Sequence, residues 1–183
     1  MAPEEHVRKV EDVIGYKFES KQYIHEALTA AGAENENYDG NRRLSQIGAS
    51  LIDTILSLIV YHTNTNRGKF FFFSFFLFQY RRRVPASTDD LEESTARLRI
   101  KFANKEHYAI VARQTGIAEC ICYDDREGSR SSVVLRRALN AIIAAVFLDT
   151  LNLKLTIGVI LRYKLSAKNL RRGMLTIRQN IYA

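Results

Sequence analysis

Two cysteines in 183 residues are too few for a disulfide framework, so a reducing, intracellular setting is expected. Their spacing, Cys120-x-Cys122, is wrong for a zinc knuckle and has no companion ligands; the two are read as core or loop thiols. No run of 18 apolar residues exists, and the longest, Phe70 to Phe78, is too short to cross a bilayer. The amino terminus, MAPEEHVRKV, lacks both an apolar signal core and the Arg-rich, acid-poor character of a transit peptide. A cytoplasmic or nuclear location is therefore expected, with the mitochondrion as the alternative. There is no collagen period and no heptad repeat. Acidic residues are missing from one region: residues 150–183 hold seven Lys/Arg and no Asp/Glu, although the whole chain is only +7. A tail of that kind suits an anionic partner or serves solubility, and charge alone does not separate the two.

What is present is enough for a core. With 46% apolar and 26% charged residues, the chain reads as one globular domain over residues 1–165 and a basic tail over 166–183. Residues 7–14 and 21–30 have apolar residues three and four apart and read as short helices, followed by a polar loop over 33–41. From 43 to 62, Leu44, Ile47, Gly48, Leu51, Ile52, Ile55, Leu58 and Ile59 recur at helical spacing and predict a long, largely buried helix. Further helices are predicted over 92–104, 105–115 (stopped by Gly116), 134–149 and 151–165. Only 117–123 shows any period-two alternation, so the fold class is all-α.

One segment breaks this order. Residues 69–79 (KFFFFSFFLFQ) are nearly pure phenylalanine, with neither helical nor strand amphipathicity, where an interhelical loop is expected. Exposed, such a run invites aggregation. Its codons can spell a splice donor, a pyrimidine tract and a splice acceptor, so residues 68–79 are read as a translated retained intron. A membrane- or partner-binding insertion is the competing reading.

The motifs supply the functional reading. Asn41-Arg42-Arg43-Leu44-Ser45-Gln46-Ile47-Gly48-Ala49-Ser50-Leu51 resembles the signature helix of the ribonuclease III family, N-E-R-L-E-F-L-G-D-A-V-L. Gly15-Tyr16-Lys17-Phe18 is similar to its L-G-Y-x-F start, and Glu26-Ala27-Leu28-Thr29 to its E-A-L-T-H. Arg97-Leu98-Arg99 followed by Ala103-Asn104-Lys105-Glu106 resembles S-R-L-R…V-N-N-E-T, and Ala112-Arg113 up to Gly116 resembles A-R-x-x-G-L. Ala138 to Asp149 (ALNAIIAAVFLD) is similar to the late apolar helix D-A-L-E-A-V-I-G-A-V-F-L-D. The likeness spans about residues 7–165 without the phenylalanine run, and its pieces keep the family's order.

The resemblance implies an endonuclease-type helical domain whose members cut double-stranded RNA by metal-assisted hydrolysis. Carboxylates from the signature helix and the late helix hold Mg²⁺, a cation that needs hard oxygen ligands. The positions matching those acids here are Arg42, Ser45, Ala49, Arg137 and Asn140, and none is a carboxylate. Glu92, with Glu93 beside it, is the one candidate residual acid. A fixed cation within about 4 to 6 Å of a divalent metal repels it by several kcal/mol at low dielectric. The expectation is thus a pseudoenzyme of fungal type with no catalytic residue, no metal and no cofactor. Mg²⁺ enters only if relocated acids such as Asp53 or Asp149 have taken over.

Arg42 and Arg137 are candidates for RNA phosphate contact, or for ion pairs with Glu92, Asp53 or another acid. Lys168, Arg171 and Arg172 in the tail are further candidate RNA contacts. The resemblance also implies a two-fold dimer across the signature helix. Leu44, Ile47, Gly48, Leu51 and Ile55 are its expected interface, in a homodimer or with a homologous ribonuclease III domain. The leading expectation is a noncatalytic protein bound to double-stranded or structured RNA, with no membrane role. An active Mg²⁺-dependent endoribonuclease, a structural part of a mitochondrial ribosome and a protein-interaction module binding an active homologue are the alternatives.

Overall fold

The computed structural model describes residues 2–33, 38–65, 93, 96, 100, 104–123 and 131–165. The phenylalanine-rich segment 68–79, Glu92 and the tail with Lys168, Arg171 and Arg172 lie outside these residues. Of the helix expected over 92–104, Glu93, Ala96, Ile100 and Asn104 are described; the first three are helical and Asn104 caps the next helix instead.

The order is α1 (Glu4–Ile14), α2 (Lys21–Leu28), α3 (Arg42–Thr65), α4 (Lys105–Gln114), a 3₁₀ turn (Ile117–Cys120), α5 (Ser132–Thr150) and α6 (Leu153–Leu165). No β-strand forms among the described residues; a single parallel bridge joins Thr29 to Cys122. The weak alternation at 117–123 resolves into the 3₁₀ turn followed by that bridge. The bridge also shortens α2 against expectation. Thr29 turns extended so that Ala30 N donates to Cys122 O at 2.8 Å and Cys122 N donates to Leu28 O at 2.9 Å.

α5 is the central element, packed against α2, α3, α4 and α6. Leu135, Leu139, Ile142, Ile143 and Val146 are essentially inaccessible, and Ala138, Ala141, Ala144 and Ala145 lie between them. Every residue over 138–146 is buried, so this stretch has no face to give to water and sits inside the domain. The alanines keep its girth small, so four neighbours can approach it. Each buried Leu, Ile or Val contributes about 1.5–3 kcal/mol of transfer free energy.

Local chemistry sets the ends. Ser131 caps α5 by accepting from Val134 N at 3.3 Å, and Asn104 caps α4 by accepting from His107 N at 2.7 Å. α5 ends on Leu151 in the left-handed region (φ 49°), after which Asn152 accepts from Leu155 N at 3.1 Å and opens α6 two residues later than expected. α1 and α2 are joined by Glu11, a buried carboxylate that accepts from Phe18 N at 2.9 Å and lies 3.0 Å from Lys21 Nζ. No described helix is long and apolar enough to cross a membrane.

Candidate functional site

The junction before α3 is built from its first residues. Asn41 is fully buried, with its Nδ2 donating to Ala27 O at 3.1 Å, its N–H to Thr29 O at 2.8 Å, and its carbonyl accepting from Ser45 N. α3 therefore starts at Arg42 in a fixed register, and Ser45, Gly48, Ala49 and Ile52 follow on the turns that reach α5.

α3 and α5 meet backbone to backbone at Gly48. A Cβ there would lie 1.9 Å from Asn140 O and 2.6 Å from Asn140 C, so only glycine permits the approach. Three of the positions matched to the family's acids, Ser45, Ala49 and Asn140, lie at this crossing or within a turn of it. Ser45 is one turn before Gly48 and buried, and Ala49 is half-buried. On α5, Asn140 is only 5% exposed and its Oδ1, an acceptor, has no hydrogen-bond partner among the described residues. Arg137 lies one turn earlier, half-buried.

Arg42 is exposed, and its Nη1 is 3.6 Å from Asp39 Oδ1, three residues back. The acid beside it is thus a local loop residue, rather than Glu92 or Asp53. So exposed a pair contributes at most about 1 kcal/mol.

Of the two acids that could replace the lost carboxylates, Asp149 is engaged elsewhere. Asp149 accepts from the Tyr16 hydroxyl at 2.6 Å and from the backbone N–H groups of Glu19 and Ser20, both at 2.9 Å. Burial pushes its carboxyl up, but these three donors outweigh burial and leave it below the usual carboxylate range. The same contact, after desolvation as the larger cause, pushes the Tyr16 hydroxyl up. Asp53 is one turn beyond Ala49 and acts, with Arg136, on the buried Tyr108 of α4. That hydroxyl is pushed up by burial first, with Arg136 opposing and Asp53 reinforcing. Tyr16, Asp39 and Tyr108 were not singled out by sequence reading. Only Tyr16 left a trace there, as part of the Gly15-Tyr16-Lys17-Phe18 motif.

Magnesium does not fit the described residues of this crossing. Two guanidiniums, a hydroxyl, a methyl and an amide supply no anionic oxygen. Among the described residues no group of three or more His, Cys, Asp or Glu could hold a metal ion.

The expected interface divides. Leu44 and Ile55 are buried in the protomer's own core and Gly48 is covered by α5. Ile47 is 39% exposed and Leu51 half-buried, one turn apart on the outer face of α3. The breadth of the apolar stripe is thus largely spent on α5, a destination that spacing does not reveal. Cys120 is buried, and its Sγ donates to the Gly116 carbonyl at 3.5 Å.

This arrangement is an all-α domain of the ribonuclease III nuclease type. It is similar to the nuclease domain of ribonuclease III from Campylobacter jejuni, with a TM-score of 0.61, 21% identity, and 86% of this chain and 92% of that one covered. A second structure of that domain, described for flexibility in a region involved in dimer formation, gives 0.60 at 23% identity over 86% of this chain and 95% of that one. Residues 20–154 match the ribonuclease-III-like family, and the chain belongs to that family. Ribonuclease 3 of Shewanella denitrificans is 24% identical over 153 residues, 81% of this chain and 56% of that protein. Ribonuclease 3 of Legionella pneumophila is 28% identical over 140 residues, 74% of this chain and 51% of that protein. The chain spans about half the length of the curated relatives it matches.

Proposed function

We infer that this ribonuclease-III-like protein binds double-stranded or structured RNA without cutting it. One observation carries the reading: Arg42, Ser45, Ala49, Arg137 and Asn140 occupy the positions that resemble the family's metal-binding acids, and none is a carboxylate. Cleavage of a phosphodiester by this chemistry needs a metal to stabilise the attacking and leaving oxygens. A guanidinium in the same place attracts the phosphate and repels the metal. The nuclease-type fold is kept while the carboxylates at these five positions are absent. Asp149 gives further support, because its three donors hold it at the α1–α2 joint.

The proposed assembly is a dimer through the outer face of α3, homotypic or with a homologous ribonuclease III domain, using Ile47 and Leu51. The tail, with Lys168, Arg171 and Arg172, adds sequence-independent phosphate contacts.

The test is a gel with the full chain and a labelled RNA duplex, with Mg²⁺ present or chelated. The expected result is a mobility shift with intact RNA in both conditions. Mg²⁺-dependent cleavage that vanishes in Asp53→Ala or Glu92→Ala overturns the reading in favour of an active enzyme with relocated acids. Neither shift nor cleavage transfers it to a protein-interaction module.

A further inference from the structure

The outer side of α6 carries a row of exposed residues that the domain's own packing does not use. Lys154, Gly158 and Arg162 are all exposed and follow one another at four-residue spacing, so they share one side of the helix over about 12 Å of its axis. Lys154 has no carboxylate partner among the described residues, whereas Lys9, Lys21 and Arg42 lie against Glu119, Glu11 and Asp39. Arg162 Nη2 donates to the Asp12 carbonyl at 3.3 Å, and its guanidinium fills the space where a Cβ of Gly15 would stand. It is thereby seated on the end of α1, with the rest of its donor fork turned to no carboxylate among the described residues. Residues 150–183 contain no Asp or Glu, so no acid of α6 opposes the two cations.

Gly158 sits between them. Glycine inside an exposed helix is less stable than alanine, and a Cβ at this position meets nothing within 4 Å. The domain itself gives no reason for a glycine there; a chain lying against the helix from outside does, because glycine lets it come close. The apolar side of α6 is already spent, with Thr156, Val159 and Ile160 buried. Among the described large apolar residues from 151 onward only Leu151 is exposed. That leaves no apolar face for a membrane-surface helix and little of the apolar core on which a protein interface is built. Two cations flanking an open stretch of helix complement a sugar–phosphate backbone.

We propose that the outer face of α6 is a docking surface for the backbone of an RNA duplex, in which Lys154 and Arg162 take phosphates and Gly158 lets the strand lie against the helix. The inference rests on the RNA-binding reading and gives it a surface on α6, apart from the α3–α5 crossing.

The experiment uses the full 183-residue chain and a labelled RNA duplex in EDTA across a salt series, with melting temperature and circular dichroism reporting the folding of each variant. Lys154→Gln combined with Arg162→Gln should lower the log–log salt slope by about two, and Lys105→Gln on α4 should leave it unchanged. If loss of the Arg162 contact to α1 unfolds the double variant, Lys154→Gln alone should lower the slope by about one. Gly158→Gln, neutral and a good helix former, should bind duplex about tenfold more weakly without a lower melting temperature. If wild type binds duplex and either Gly158→Gln binds it equally well or the slope survives loss of the cations, the surface is overturned and the RNA reading stands. If wild type binds no duplex, both fall. Sedimentation of such a protein with phosphatidylserine vesicles, lost in the double variant, would then assign the face to an acidic membrane surface instead.

Discussion

Protonating Asp149 should loosen the joint between α5 and the α1–α2 segment, because the Tyr16 hydroxyl and the N–H groups of Glu19 and Ser20 all donate to it. Its folded carboxyl titrates below the ordinary value of 3.8. Its contribution is therefore complete above that value and is lost as pH falls through the lower folded one. Asp149→Asn should cost about 1–3 kcal/mol near neutral pH, with the gap to wild type closing below about pH 4. Melting temperatures across an acid series check this, and a gap that stays constant would mean the side chain acts by shape alone. A second residue works in the other direction. Gly158 is exposed in the middle of α6, and a Cβ there meets nothing within 4 Å. Gly158→Ala should stabilise by about 0.5–1 kcal/mol through the unfolded state, read as a rise in the denaturant midpoint at constant slope.

At the scale of elements, the decisive contact is α3 on α5. Gly48→Ala puts a methyl into the Asn140 backbone, which cannot swing aside as a side chain would. The variant should lose at least about 1–3 kcal/mol, and an unchanged melting temperature would show that the helices separate without cost. The sequence made α3 legible through its apolar spacing, and it made α5 legible through its apolar run. It could not show that Leu44, Gly48 and Ile55 face α5 rather than a second protomer. Burial by one's own chain and burial by a partner leave the same periodicity. The late start of α6 was similarly hidden, since nothing in Leu151 announces a left-handed residue; Asn152, capping Leu155, was the available clue.

For the whole molecule, the outer face of α3 gives a separate test of assembly. Ile47 and Leu51 reach solvent from a helix whose inner face is already buried. Ile47→Asp with Leu51→Asp should leave the fold's far-UV signal unchanged and reduce the sedimenting mass to that of one chain. A mass unaffected by the pair would remove these residues from any interface. Duplex RNA is long relative to one domain, so on the proposed reading loss of the dimer should also weaken duplex binding through the missing second set of contacts.

By itself the sequence determined the all-α class, the order of the helices and the absence of carboxylates at Arg42, Ser45, Ala49, Arg137 and Asn140, because periodicity and residue identity are local properties. Only the tertiary structure decided what those residues and their neighbours meet. It paired Arg42 with Asp39, gave Asp149 to Tyr16 and two backbone amides, and left the Asn140 amide oxygen buried without a donor among the described residues. Hydrogen bonds and close approaches such as Gly48 on Asn140 join positions far apart in the chain, and no local pattern encodes which of them will meet.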